Sequence, residues 1–162
     1  MNARLFSFAC CLLLMFAVLP AEAAEVKAES FTLQVPEGWR VVSSPESGVV
    51  AVMPSARGFT MTLHVGETGG QSAVDMARQG SRAQNGSDPI QMEGLKSEAY
   101  VYNWVAPKGE LTSTMLFVNK GKALTVNTIG TIDPYADAAE AILKSVVSSD
   151  PAVNEILEDW RE

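Results

Sequence analysis

KSEAYVYNWVAPKGELTSTMLFVNKGKALTVNTIGT, residues 96–131, reads as three strands joined by two tight turns. Lys96 to Ala106, Glu110 to Asn119 and Lys122 to Thr131 are rich in β-branched and aromatic residues, as strands are. Pro107-Lys108-Gly109 and Lys120-Gly121 supply the turns. Parallel neighbours need a crossover of a dozen or more residues, so strands this close in sequence pair antiparallel. The stretch predicts a meander and, with it, a largely antiparallel sheet.

Upstream, Phe31-Thr32-Leu33-Gln34-Val35 alternates apolar and polar with the period of a half-buried strand. Pro36-Glu37-Gly38 is turn chemistry, and Trp39 to Ser43 reads as a return strand that closes a hairpin. Val49 to Met53 and Gly58 to Val65 are two further strands, separated by Pro54. After the glycine-rich break Gly66 to Gly70, a helix is expected over about Ser72 to Gln84, with Ala73, Met76, Ala77 and Gly80 on one face. Ile90 to Met92 adds a short strand. Downstream, Asp133-Pro134 reads as the N-cap and first residue of a second helix, with Ala138, Ala139, Ile142, Leu143 and Val146 as its buried stripe. Asp150-Pro151 repeats that start signal for a short final helix, 151–161, striped by Val153, Ile156, Leu157 and Trp160. The sum is an α/β (α+β) layer fold, an α-β-α sandwich on a largely antiparallel sheet.

This element order, with its Pro-x-Gly-Trp hairpin at Pro36 to Trp39 and its closing Ile142-Leu143-Lys144-Ser145 helix, resembles the PsbP/Mog superfamily, which includes DcrB-like exported bacterial proteins. The resemblance runs from about Phe31 to Val147. It implies binding or assembly roles without a shared catalytic centre, and it carries over no site residues.

The first residues read as a secretory signal. Arg4 gives the basic start, Leu5 to Leu19 is apolar apart from Ser7 and two cysteines, and Pro20 followed by Ala21-Glu22-Ala23 gives the break and the small-x-small cleavage pattern. The apolar run falls short of the ~20 residues a spanning helix needs. Cleavage after Ala23 or Ala24 is expected, leaving residues 25–162 as a single periplasmic domain with no stable membrane insertion. Cys10 and Cys11 both lie inside the apolar run rather than after it, which argues against acylation. The processed chain then has no disulfide, no thiolate metal site and no cysteine nucleophile.

The net charge of −7 disfavours nucleic acid and anionic membrane surfaces, both of which need clustered Lys and Arg. The single histidine, His64, shares a strand face with Thr60 and Thr62 and points away from Met61, so those two cannot pair on a copper ion. It reads as an exposed or edge histidine. Met53, Met61, Met76, Met92 and Met115 are widely spaced and read as core packing rather than a soft-metal cluster. Gly66 to Gly70 lacks the Lys-Ser/Thr of a phosphate loop, and Glu67 would repel an anion. No metal, cofactor or catalytic group is expected.

Two features stand out. Tyr100, Tyr102 and Trp104 alternate along one strand and share a sheet face. Either a helix of small residues covers them or they form an aromatic binding face. Trp160 on the last helix either docks on its own domain or offers an apolar stripe to another protein. The expectation is therefore a non-enzymatic envelope protein that binds or scaffolds a protein partner. A small-molecule or lipid carrier with a pocket between sheet and helix is the alternative, and a hydrolase is the remotest.

Overall fold

The computed structural model describes residues 23–42, 48–56 and 58–161. The signal reading of the first 22 residues, and most of the loop read at Ser44 to Gly48, lie outside them.

Seven strands form the main sheet. β3 (Trp39–Val41), β4 (Val49–Pro54) and β5 (Phe59–Glu67) run antiparallel from one edge. The chain then crosses through α1 (Ala73–Ala83) to the far edge at β6 (Ile90–Met92) and returns through β7 (Glu98–Val105), β8 (Leu111–Asn119) and β9 (Lys122–Gly130). β9 comes to rest beside β5, so the order is β3-β4-β5-β9-β8-β7-β6. The expected meander is thus the central and far half of the sheet. A second sheet of three strands holds β1 (Ala24–Lys27), β2 (Phe31–Val35) and β10 (Val147–Ser148), with β2 in the middle.

The hairpin expected between Phe31–Val35 and Trp39 does not form. β1 and β10 occupy both edges of β2, so no edge remains for β3, which pairs with β4 in the other sheet. Gly38 at φ +77° makes the crossing between sheets a tight turn, in which the Trp39 N–H donates to the Pro36 carbonyl at 3.2 Å. Ala24 to Lys27 alternates small apolar and charged residues and pairs antiparallel along one edge of β2.

The two faces of the main sheet are covered differently. On the inner face Val50, Val52, Phe59, Met61, Leu63, Phe117, Leu124 and Val126 meet the small sheet and two helices, α2 (Ala136–Ser145) and α3 (Pro151–Glu158). On the outer face α1 covers only the far half, packing Ala73 and Ala77 on Tyr100, Leu116 and Ala123. Strands β8 and β9 are therefore buried on both sides where α1 sits, at the consecutive apolar pairs Leu116–Phe117 and Ala123–Leu124.

Helix starts follow local chemistry. The Ser72 hydroxyl accepts the Asp75 N–H at 3.2 Å and caps α1. The Asp150 carboxylate accepts the Ala152 N–H at 2.9 Å, with Pro151 in the first turn of α3. Lys122 ties that cap to the sheet, reaching Asp150 at 2.9 Å and also Glu67. Asp133-Pro134 behaves otherwise. It opens a 3₁₀ turn, Asp133–Tyr135, without a side-chain cap, and α2 begins only at Ala136. Tyr135 explains the turn: its ring stacks on Phe59 at 5.6 Å and meets Trp39 edge-on at 6.0 Å. The aromatic trio fixes the approach to α2 before any cap could.

Candidate functional site

Tyr100 and Tyr102 are each 8% exposed, and they lie beneath α1. Gly80 makes that contact possible: a methyl group there would overlap the Tyr102 hydroxyl and stand 3.2 Å from its Cζ. Burial pushes both phenols above their ordinary pKa, and the Glu98 carboxylate adds to the rise at Tyr100. Trp104 is half-buried, and its indole N–H donates to Thr114 Oγ1 at 3.1 Å; the Thr114 hydroxyl in turn donates to Asn127 Oδ1 at 2.7 Å. The three aromatics share one face, and of the two alternatives the structure shows a helix of small residues over Tyr100 and Tyr102, while Trp104 stays half-buried.

His64 is exposed on the outer face of β5, an interior strand, beside Thr60 and Thr62. The methionines scatter: Met61 is fully buried, and Met53, Met76, Met92 and Met115 are partly so. Among the described residues no group of three or more His, Cys, Asp and Glu could hold a metal ion.

Trp160 lies on the opposite side of the sheet from the tyrosines. Its ring meets Phe117 edge-on at 5.3 Å. The segment around it is tied down by side-chain bonds. Asp159 accepts the Lys96 N–H at 2.8 Å, the Ser97 N–H at 3.1 Å and the Ser97 hydroxyl. Arg161 donates to the Val146 carbonyl at 2.6 Å. Burial opposes ionisation of Asp159, but these donors outweigh it and hold the carboxyl below its ordinary pKa.

Between this anchored end and the first turn of α2 the inner face is not filled. A cleft of about 530 Å³ opens there, within the range of small-molecule sites. Its floor is the sheet: Met61, Met115, Val126 and Thr128. One wall is α2, through Ala136, Ala139 and Leu143, and Trp160 and Ile132 also line it. Its charged groups are Glu140, Lys144 and Asp159. Glu140 and Lys144 pair with each other at 2.6 Å across one helical turn. The Trp160 indole nitrogen is buried and has no hydrogen-bond partner among the described residues.

Sequence reasoning names Trp160 and, as an alternative, a pocket between sheet and helix, but neither the place nor the lining of this cleft, which opens on the face opposite Tyr100, Tyr102 and Trp104. Alternation along β5 and β8 does place Met61 and Met115 on the inner face. The rest of the lining comes from α2 and from the end of the chain, segments distant in sequence, and no local pattern brings them together.

No protein-family model matches the chain, and no curated protein matches it in sequence. In three dimensions it is similar to the solution structure of a cyanobacterial PsbP from Synechocystis sp. PCC 6803, at 14% identity over 82% of this chain and 95% of that one, with a TM-score of 0.49. It is similar also to a protein from Bacteroides thetaiotaomicron, at 11% identity over 82% of this chain and 50% of that one, with a TM-score of 0.49. Both are likenesses of fold alone.

Proposed function

We propose that this is an exported, non-enzymatic binding protein of the bacterial envelope, and that it holds a small, largely apolar molecule in the cleft between the seven-stranded sheet and α2. The observation that carries the reading is the cleft itself, about 530 Å³ with a floor of Met61, Met115 and Val126. A folded domain ordinarily fills such a gap with side chains. Thioethers suit a cleft that must adapt to its occupant. The ionisable groups at the cleft are already engaged, Glu140 with Lys144 and Asp159 with Lys96 and Ser97, which suits binding better than proton transfer. Export is supported by the sequence signal, a basic start, an apolar run and a small-x-small pattern at Ala21 to Ala23.

The test is titration of the purified protein with N-phenyl-1-naphthylamine, an uncharged apolar fluorophore, alongside native mass spectrometry for a co-purifying molecule. Ala136→Trp should plug the cleft without entering the core, because Ala136 is exposed. Saturable binding lost in that variant, with an unchanged melting temperature, is the expected result. Absence of binding, or equal binding by the variant, removes the reading.

A protein partner is the second reading, and the free edge of β6 favours it, with Ile90 66% exposed. In-cell cross-linking that captures one envelope protein through residues 90–92 would support it. Cross-links spread evenly over the surface would count against it.

A further inference from the structure

Resting on the reading of a protein partner, we infer that the partner's contact is an amphipathic α-helix flanked by lysine or arginine, which lies along β7 on the open part of the inner sheet face. Three observations point to that occupant.

The first is where apolar surface is left uncovered. Of the six large apolar side chains exposed among the described residues, four gather on this face: Ile90 at 66%, Leu111 at 64%, Val105 at 62% and Ile132 at 40%. Register places them together. Ile90 opposes Val101, Val101 opposes Met115, and Val105 opposes Leu111. Cross-strand partners share a face, and Val101 and Val105 sit an even number of residues apart on one strand. Ile132 stands near Met115, since both line the cleft. Contiguous apolar exposure of this kind marks an interaction site, whereas scattered single residues do not.

The second is the size of the opening. Trp160 covers the face at Phe117. Beyond it, toward Leu111, the inward side chains of β6, β7 and β8 lie open or half-open. Three strands span about 10 Å, the width of one helix, and Val101 to Val105 runs roughly 13 Å, between two and three helical turns. β6 has only Ile90 to Met92 between Pro89 and Glu93, too short an edge to hold an added strand by itself, so the contact spreads onto the face.

The third is charge. Asn103 and Ser113 complete the open face, which bears no charged side chain of its own. Its borders are acidic. Asp88 and Glu93 stand on either side of β6, and Asp133 and Asp137 stand at the approach to α2 and in its first turn. All four are exposed, and none has an ion-pair partner among the described residues. The nearby ammonium groups are engaged, Lys96 with Glu158 and Lys144 with Glu140. Lys108 and Glu110, of the β7–β8 turn, line a hollow on the outer face with Thr60 and Ile129. Bare acids along two borders of an apolar strip complement an apolar helix with basic flanks. A second copy would set acid against acid, and an anionic membrane would be repelled.

The experiment titrates two fluorescein-labelled amphipathic peptides of equal length, one of leucine and lysine and one of leucine and glutamate, with the full processed chain at pH 7 and follows fluorescence anisotropy. The lysine peptide should bind, with an affinity that falls as salt rises, and the glutamate peptide should be at least about tenfold weaker. Leu111→Ser should weaken the lysine peptide about tenfold, while Val147→Ser, at an exposed apolar residue of the small sheet, should leave it unchanged. Val105→Ser should act as Leu111→Ser does, and it decides if that variant fails to fold. Asp88→Asn combined with Asp133→Asn should weaken the lysine peptide about three- to fivefold and flatten the salt dependence. No binding of the lysine peptide, equal binding of the two peptides, or an equal loss in Leu111→Ser and Val147→Ser overturns the inference. So does a dimer in sedimentation velocity that Leu111→Ser dissociates, or flotation with phosphatidylglycerol vesicles that it abolishes. In-cell cross-links spread evenly over the surface would instead remove the protein-partner reading beneath it, whereas capture of one envelope protein by a chain that fails the peptide test overturns the helix alone.

Discussion

Gly80→Ala is the most informative single change, because two well-defined effects oppose each other at that position. Gly80 is inside α1, where alanine is favoured over glycine by about 1 kcal/mol. Its outward direction, however, is occupied by the Tyr102 hydroxyl, which an added methyl group would overlap, and the ring carbon behind it stands 3.2 Å away. Tyr102 cannot retreat, since it is buried in the sheet beneath the helix at 8% exposure. Overpacking of this kind costs about 1–3 kcal/mol. The clash should therefore win by about 1 kcal/mol, lowering the melting temperature by about 3 °C. Tyr102→Phe removes the overlapping oxygen and leaves only the 3.2 Å contact, which a small shift relieves. In that background Gly80→Ala should turn stabilising by about 0.5–1 kcal/mol. The double-mutant cycle then shows a coupling of about 1.5–2 kcal/mol, measured by urea denaturation with m-values checked for constancy. If Gly80→Ala stabilises the unmodified protein by the whole helix-propensity gain, α1 does not sit on Tyr102, and the tyrosine stripe is open after all.

Other outcomes follow from the anchored end and from one strained turn. Deleting residues 151–162 removes Val153, Ile156 and Leu157, all 0% exposed, at about 1.5–3 kcal/mol each, so circular dichroism should show a chain no longer cooperatively folded; a sharp transition within a few degrees of the original would refute the docked helix. Gly130 has φ +91° and a methyl group there would run into the Gly58 carbonyl, so Gly130→Ala should cost at least about 2 kcal/mol, seen as a melting temperature about 5 °C lower or more. Asp159 is held below its ordinary pKa, so its contribution is present above the unfolded value of about 4 and fades as pH falls from there through the folded value. Asp159→Asn should accordingly be less stable than the unmodified protein at pH 7, with the difference shrinking below about pH 4; a difference constant from pH 7 to pH 3 would sink the argument.

What could be read in advance divides along a physical line. The three strands from Lys96 to Thr131 and the final helix from Pro151 were legible because their signals are local: alternation, tight turns, and an Asp-Pro cap whose partner is two residues away. Phe31–Val35 was legible as a strand but not as to its neighbours, since pairing with residues 147–148 depends on where α2 delivers the chain. Asp133-Pro134 misled as an N-cap because Tyr135, held by Phe59 and Trp39, imposes a 3₁₀ turn that no short-range rule anticipates. The covered tyrosines could be foreseen as one of two outcomes, because Ala73, Ala77 and Gly80 had the small size a covering helix needs. A pocket between sheet and helix could be foreseen as an alternative, but its place and lining could not, since the residues come from segments far apart in sequence.

The three-stranded sheet has a kinetic corollary. β2 lies between β1, its neighbour in sequence, and β10, and the Ser148 hydroxyl reaches back to the Ser30 carbonyl across 118 positions. Closing so long a loop costs about 4 kcal/mol of chain entropy beyond the fixed term, with no reward until both ends are present. A chain emerging from the ribosome can build its meander early, but residues 31–35 stay half-paired until almost everything downstream has appeared. Late closure leaves the small sheet incomplete until the end of synthesis, so a stretch near the end of the sequence is the one that locks the first strands in place.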